Sequence, residues 1–139
     1  MNCGVAVNIR SKPLFLASVI TILTAVAHLF IGQAHLARVL GVDLEGIDRA
    51  VMFAVWHMVT VVFVISALGL FILSICSDDV QVRPIALAIA IAYGLFGVVF
   101  LVSSFLFREP AFKWVPMLIV SMWSLLGYRH ALLSISQRI

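Results

Sequence analysis

The chain has 139 residues, of which 64% are hydrophobic and only 11% charged, with a formal net charge of +3. A soluble domain carries about 25% charged residues, so too few charges remain to wet a surface, and a single integral membrane domain is expected. The basic residues form no stripe with interleaved aromatics, which removes nucleic acid as a partner and leaves the lipid bilayer.

Met1 to Lys12 is a polar start. Pro13 then opens a charge-free run of 18 residues, Leu14 to Ile31, which at ~1.5 Å per residue reaches ~27 Å as a helix and predicts a first span. Ala25-Val26-Ala27 also fits the small-residue cleavage site of a signal peptide, but the apolar run continues through His28-Leu29-Phe30-Ile31, so a retained span over 14–31, with a continuation to about 40, is the reading carried forward. Gly41 to Asp48 reads as an acidic turn, with Asp48 placed to cap the next helix.

The longest charge-free stretch follows, 26 residues from Ala50 to Ile75. It predicts a second span that carries the pair Trp56-His57 near its start. Ser77 to Arg83 is a polar turn. Pro84 marks the start of a third span over 84–107, and Arg108-Glu109-Pro110 ends it. A fourth span is expected over 112–133, with Lys113, Trp114, Tyr128 and Arg129 at its two interfaces. The predicted fold is therefore an all-α membrane protein, an antiparallel four-helix transmembrane bundle.

Four spans put both termini on one side, together with Arg10, Lys12, Arg83, Arg129 and Arg138; Arg38, Arg49, Arg108 and Lys113 lie on the other. That bias places the termini in the cytoplasm of a cell with one inner membrane to cross. Cys3 and Cys76 then face the cytoplasm as free thiols.

In lipid, helices associate by close packing and interhelical hydrogen bonds. Each span offers a stripe of small or polar residues at helical spacing: Ala17, Thr21, Thr24, His28, Gly32 and His35 in the first; Ala50, Ala54, His57, Thr60 and Val64 in the second; Ala86, Ala90 and Gly94 in the third; Met117, Ser121, Ser124 and Tyr128 in the fourth. The Ala86, Ala90 and Gly94 stripe also suits association with another membrane protein or a second copy of the chain.

Ionisable residues within spans point to function. His28, His35 and His57 all lie toward the end where the first span closes and the second opens. Three uses stay open. A metal could be held by His28, His35 and His57. Haem could be held between His28 and His57 as axial ligands. A quinone-like or other lipid-soluble ligand could sit between helices, oriented by His28 or His57 beside Trp56 and Trp114. The plain structural use is a hydrogen bond from His28 or His57 to Thr24, Thr60 or a backbone carbonyl that fastens the first two helices.

The spans hold no Asp, Glu, Lys or Arg in their middle, and there is no HExxH, GxSxG or P-loop. Nothing specific marks an enzyme. The leading expectation is a non-enzymatic accessory or interaction subunit; the alternative is a binder of a cofactor or lipid-soluble ligand through His28 and His57; the third is a component of an oligomeric transporter or channel.

The order Ala27-His28, Gly32-Gln33 and Trp56-His57 with Thr60 resembles a pattern of small uncharacterised bacterial inner-membrane proteins of four spans, over the first half of the chain. Gln33 departs from it, since the pattern carries an acidic residue there. The resemblance implies fold and location, and no activity.

Overall fold

The computed structural model describes residues 9–40, 46–76, 82–107 and 114–136. The acidic turn at 41–45, the polar turn at 77–81, the 108–113 connection with Lys113, and Cys3 and Arg138 lie outside these described residues. All regular structure among the described residues is helical: α1 (Lys12–Ala27), a π turn (His28–Gly32), α2 (Gln33–Leu40), α3 (Gly46–Ile75), α4 (Val82–Phe107) and α5 (Trp114–Ser136). Three stretches are long and apolar enough to cross a membrane: Lys12–Gly32, Gly46–Ile75 and Pro84–Leu106.

Local sequence explains where the helices begin. Pro13 sits in the first turn of α1, where its missing N–H costs nothing, and Ser11 precedes it in extended backbone. α3 begins at Gly46, so Asp48 lies in its first turn and is not its cap; there the carboxylate still faces the positive end of the helix dipole. α1 does not stop at Ile31 but runs on through the π turn into α2.

The surface is apolar and the interior is small and partly polar, the reverse of a soluble protein. Phe30, Ile31, Met58, Ile65, Phe105 and Leu106 are exposed, whereas Ala17, Thr21, Ser74, Ala86 and Ser124 are wholly buried. Larger side chains (Leu14, Phe63, Leu70, Tyr93 and Val120) fill the space between the small ones.

The contacts fix the helix directions. Along α1 and α3, Phe15 meets Phe71, Ser18 meets Ala67 and His28 meets Thr60, so the two run antiparallel. Along α4 and α5, the Ser121 hydroxyl donates to the Ala90 carbonyl at 2.7 Å and Leu118 covers Gly97, again antiparallel. Leu14 of α1 lies against Gly127 of α5, close enough that no β-carbon fits there. α3 and α4 touch only lightly, and Phe63 meets Tyr93 there at 6.1 Å between ring centroids.

Hydrogen bonds reinforce the α1–α3 pair. The N–H groups of Arg10 and Ser11 both donate to the Ser74 carbonyl at 3.0 Å, which satisfies an acceptor that the end of α3 would otherwise leave open. The Ser18 hydroxyl donates to the Ala67 carbonyl at 2.9 Å, buried within the pair. Ser18→Ala is expected to lower stability by about 0.6–1.7 kcal/mol, the range of interhelical hydrogen bonds in membranes. Thermal unfolding in detergent checks this, and an unchanged midpoint would refute it.

The α3 stripe differs from expectation. Ala50, Ala54 and Val64 are exposed; the buried stripe of α3 is Phe63, Ala67, Leu70 and Ser74. The helical period is as expected and its phase is rotated, because large α3 side chains fill against the small face of α1. The Ala86, Ala90 and Gly94 stripe is covered inside the chain, with Ala86 and Ala90 buried and Ser121 of α5 against Gly94.

Candidate functional site

The end of the molecule where α1 gives way to α2 and α3 begins holds the most organised group of side chains. It is built on the π turn. A π turn carries one more residue per hydrogen-bonded ring than an α-helix, and such turns concentrate at functional sites. His28 opens this one and Gly32 closes it.

The His28 imidazole stacks on the Trp56 indole, with ring centroids 3.9 Å apart and planes 13° from parallel. Phe63 approaches the same imidazole edge-on at 5.5 Å and 88°. Offset-stacked and edge-to-face pairs are the favoured arrangements of ring quadrupoles. Nδ1 of His28 lies 2.9 Å from the Thr60 hydroxyl oxygen. The same hydroxyl lies 3.3 Å from the Trp56 carbonyl, so Thr60 ties the imidazole to the α3 backbone one turn back.

Gly32 completes the arrangement. A β-carbon at this position would overlap the six-membered ring of Trp56. The glycine lets the α1 backbone and the indole approach closely enough for the His28 stack to form.

Beside this stack lies a cavity of about 280 Å³. Its walls come from α1 and the π turn (Thr24, His28), α3 (Trp56, Phe63), α4 (Phe100) and α5 (Met117), and they are almost entirely apolar. For scale, an engineered apolar cavity of ~150 Å³ holds a benzene ring. The cavity is suited to a single substituted ring.

Of the residues that the sequence nominates, His28 and Trp56 come together at the cavity, with Thr60 behind them. His57 does not join them. It is half-buried, its ring lies edge-on to Phe53 one turn away at 4.3 Å and 66°, and its Nε2 is buried without a hydrogen-bond partner. His35 lies on α2, its side chain outside the described residues. No group of three His, Cys, Asp or Glu side chains able to hold a metal ion comes together among the described residues. His130 and Cys76 are exposed, away from the cavity.

Phe63, Phe100 and Met117 carry no sequence mark of function, being apolar residues of apolar spans. The one available signal is spacing: Phe63 stands seven residues after Trp56, two turns along the same face. The chain matches no protein-family model, no curated protein and no solved structure.

Proposed function

We propose that this is a four-span inner-membrane protein that binds a lipid-soluble, single-ring ligand in the cavity beside His28 and Trp56. The observation that carries this reading is the cavity itself: apolar, ring-sized and walled on one side by a histidine held by Thr60 and stacked on an indole. Ligand sites in membrane and soluble proteins alike are concave and mostly apolar, with one or two placed polar groups.

The remaining span belongs to the same reading. α5 has 23 residues, ~34 Å of helix, and it packs along both α1 and α4. With α5 as the fourth span, the basic bias puts the termini in the cytoplasm and the cavity in the outer leaflet. A haem between His28 and His57 fits this geometry less well, since His57 does not line the cavity. An accessory role through Ala86, Ala90 and Gly94 would require α5 to leave the face it covers.

The test uses Trp56 as a native reporter. Trp114→Phe and Trp123→Phe leave it the sole tryptophan. In liposomes, methyl-benzoquinone should quench Trp56 saturably. Thr24→Phe, which extends a half-buried cavity-lining side chain into the open space, should weaken the apparent affinity at least about tenfold, a difference of ~1.4 kcal/mol. Linear quenching, identical in the two proteins, would refute ring binding and leave the accessory and the transporter or channel readings.

A further inference from the structure

The cavity is half-open and is bounded by five segments that do not pack equally. α1 lies close along α3 and along α5, and α4 lies close along α5. α3 and α4 barely meet among the described residues, where Phe63 lies against Tyr93 and Ser66 stands beside the Tyr93 hydroxyl. The cavity lies to one side of that contact. On α3, Trp56 stands two turns from Phe63; on α4, Phe100 stands two turns from Tyr93; both line the cavity. Two turns of helix are ~11 Å, so over that length the wall between α3 and α4 is made of side-chain tips and not of packed helices.

The residues on this seam have a mixed surface. Val59 of α3 lies one turn from Phe63 and is half-buried, as are Trp56 and Phe100; Phe96 of α4, in ring contact with Tyr93, is exposed. Their one polar side-chain atom, the Trp56 indole Nε1, is buried, so the seam faces hydrocarbon without offering it a polar group. Lipid-exposed backbone must be satisfied within its own segment, and both seam helices are regular there. A gap between them therefore exposes no unpaired backbone groups.

Volume decides what kind of ligand can use such an opening. If a benzene ring takes ~150 Å³ of apolar cavity, about 280 Å³ accommodates a ring with small substituents and has no space for a coiled hydrocarbon chain. A chain attached to the ring must lie outside. In the bilayer this carries no penalty, because lipid tails are as apolar as the protein surface they replace.

Resting on the ring-binding reading above, we propose that the cavity opens sideways into the membrane between α3 and α4, and that its ligand is a ring bearing a long hydrocarbon tail, with the ring beside His28 and Trp56 and the tail leaving through the seam past Val59 and Phe96. The chemical class is a tailed quinone, quinol or phenol drawn from the bilayer.

Two probes separate this proposal from the reading on which it rests: methyl-benzoquinone without a tail, and decyl-benzoquinone, each at a known mole fraction in the lipid, with Trp56 as sole reporter. The unmodified cavity should take both within about threefold of each other. Val59 is not itself a cavity-lining residue, and Val59→Phe, which adds bulk one turn from Phe63 on the half-buried side of α3, should weaken the tailed probe roughly tenfold and leave the tail-less one within about threefold. Saturable binding of the tail-less ring alone by the unmodified cavity would overturn the lateral route while leaving ring binding intact. So would a Val59→Phe effect that falls equally on both probes. Absence of saturable quenching by either probe would overturn ring binding, and the tail route with it.

Discussion

Gly32→Ala is expected to unseat Trp56 and abolish ring binding. The added β-carbon would occupy the space of the indole's six-membered ring. The indole is flat and rigid, and His28 stacks on it at 3.9 Å, so it has no flexible end to yield. Either the ring swings away from His28 or the π turn lifts off α3; the stack is lost in both cases. Alanine improves intrinsic helix propensity over glycine by ~1 kcal/mol. Against this stand overpacking of ~1–3 kcal/mol and the lost aromatic pair, ~0.5–1.5 kcal/mol. The net expectation is a loss of about 0.5–3.5 kcal/mol, seen as a lower unfolding midpoint in detergent and a shift in Trp56 emission. A raised midpoint with unchanged emission would mean that the indole does not lie against Gly32.

Phe63→Ala should have a larger effect on stability and a different effect on the site. Phe63 is 2% exposed and touches His28 on one side and Tyr93 on the other. In a bilayer the removed ring gains nothing from water, so the cost comes from the hole. At ~24 cal/mol per Å³ over a lost volume of about 100 Å³, that is ~2.4 kcal/mol. Two ring pairs add ~1–3 kcal/mol more. The hole opens next to the existing cavity, so the enlarged space should accept a bicyclic naphthoquinone better relative to methyl-benzoquinone. Gly32→Ala, by contrast, should lose both probes. If Phe63→Ala left the ratio of the two probes unchanged, Phe63 would not be the inner wall of the site.

The two variants also mark how far the sequence reaches. Where the chain enters and leaves apolar surroundings was legible, because charge-free runs of this length have few uses other than crossing a membrane. His28, Trp56 and Thr60 were legible for the same reason: polar or amphipathic groups stand out in such runs. His57 stood out equally and yet points elsewhere, because one residue along a helix turns a side chain by about 100°, and polarity does not fix phase. Phase is set by packing, here by Phe63 and Leu70 filling against Ala17 and Thr21. The π turn has no compositional signature; His28-Leu29-Phe30-Ile31-Gly32 would read equally well as α-helix. The loose α3–α4 seam depends on the lateral order of helices, which a single sequence does not encode locally. Gly32 was legible as a small residue of the first-span stripe, but its close approach to the Trp56 ring was not, because that depends on how α1 and α3 pack.

The bonds at the two ends of the α1–α3 pair bear on how the protein is made. The Ser74 carbonyl holds the start of α1 at one end, and Thr60 holds His28 at the other. Every group in those bonds lies within residues 10–74, ahead of α4 and α5. A nascent chain emerges from its N-terminus and its early segments can organise before the rest exist. α1 and α3 can thus enter the bilayer as a hairpin fastened top and bottom, with the His28–Trp56 stack already assembled, while α4 and α5 are still being synthesised. The later pair then closes around a finished half-site, and the weakly packed edge between α3 and α4 is where that closure ends.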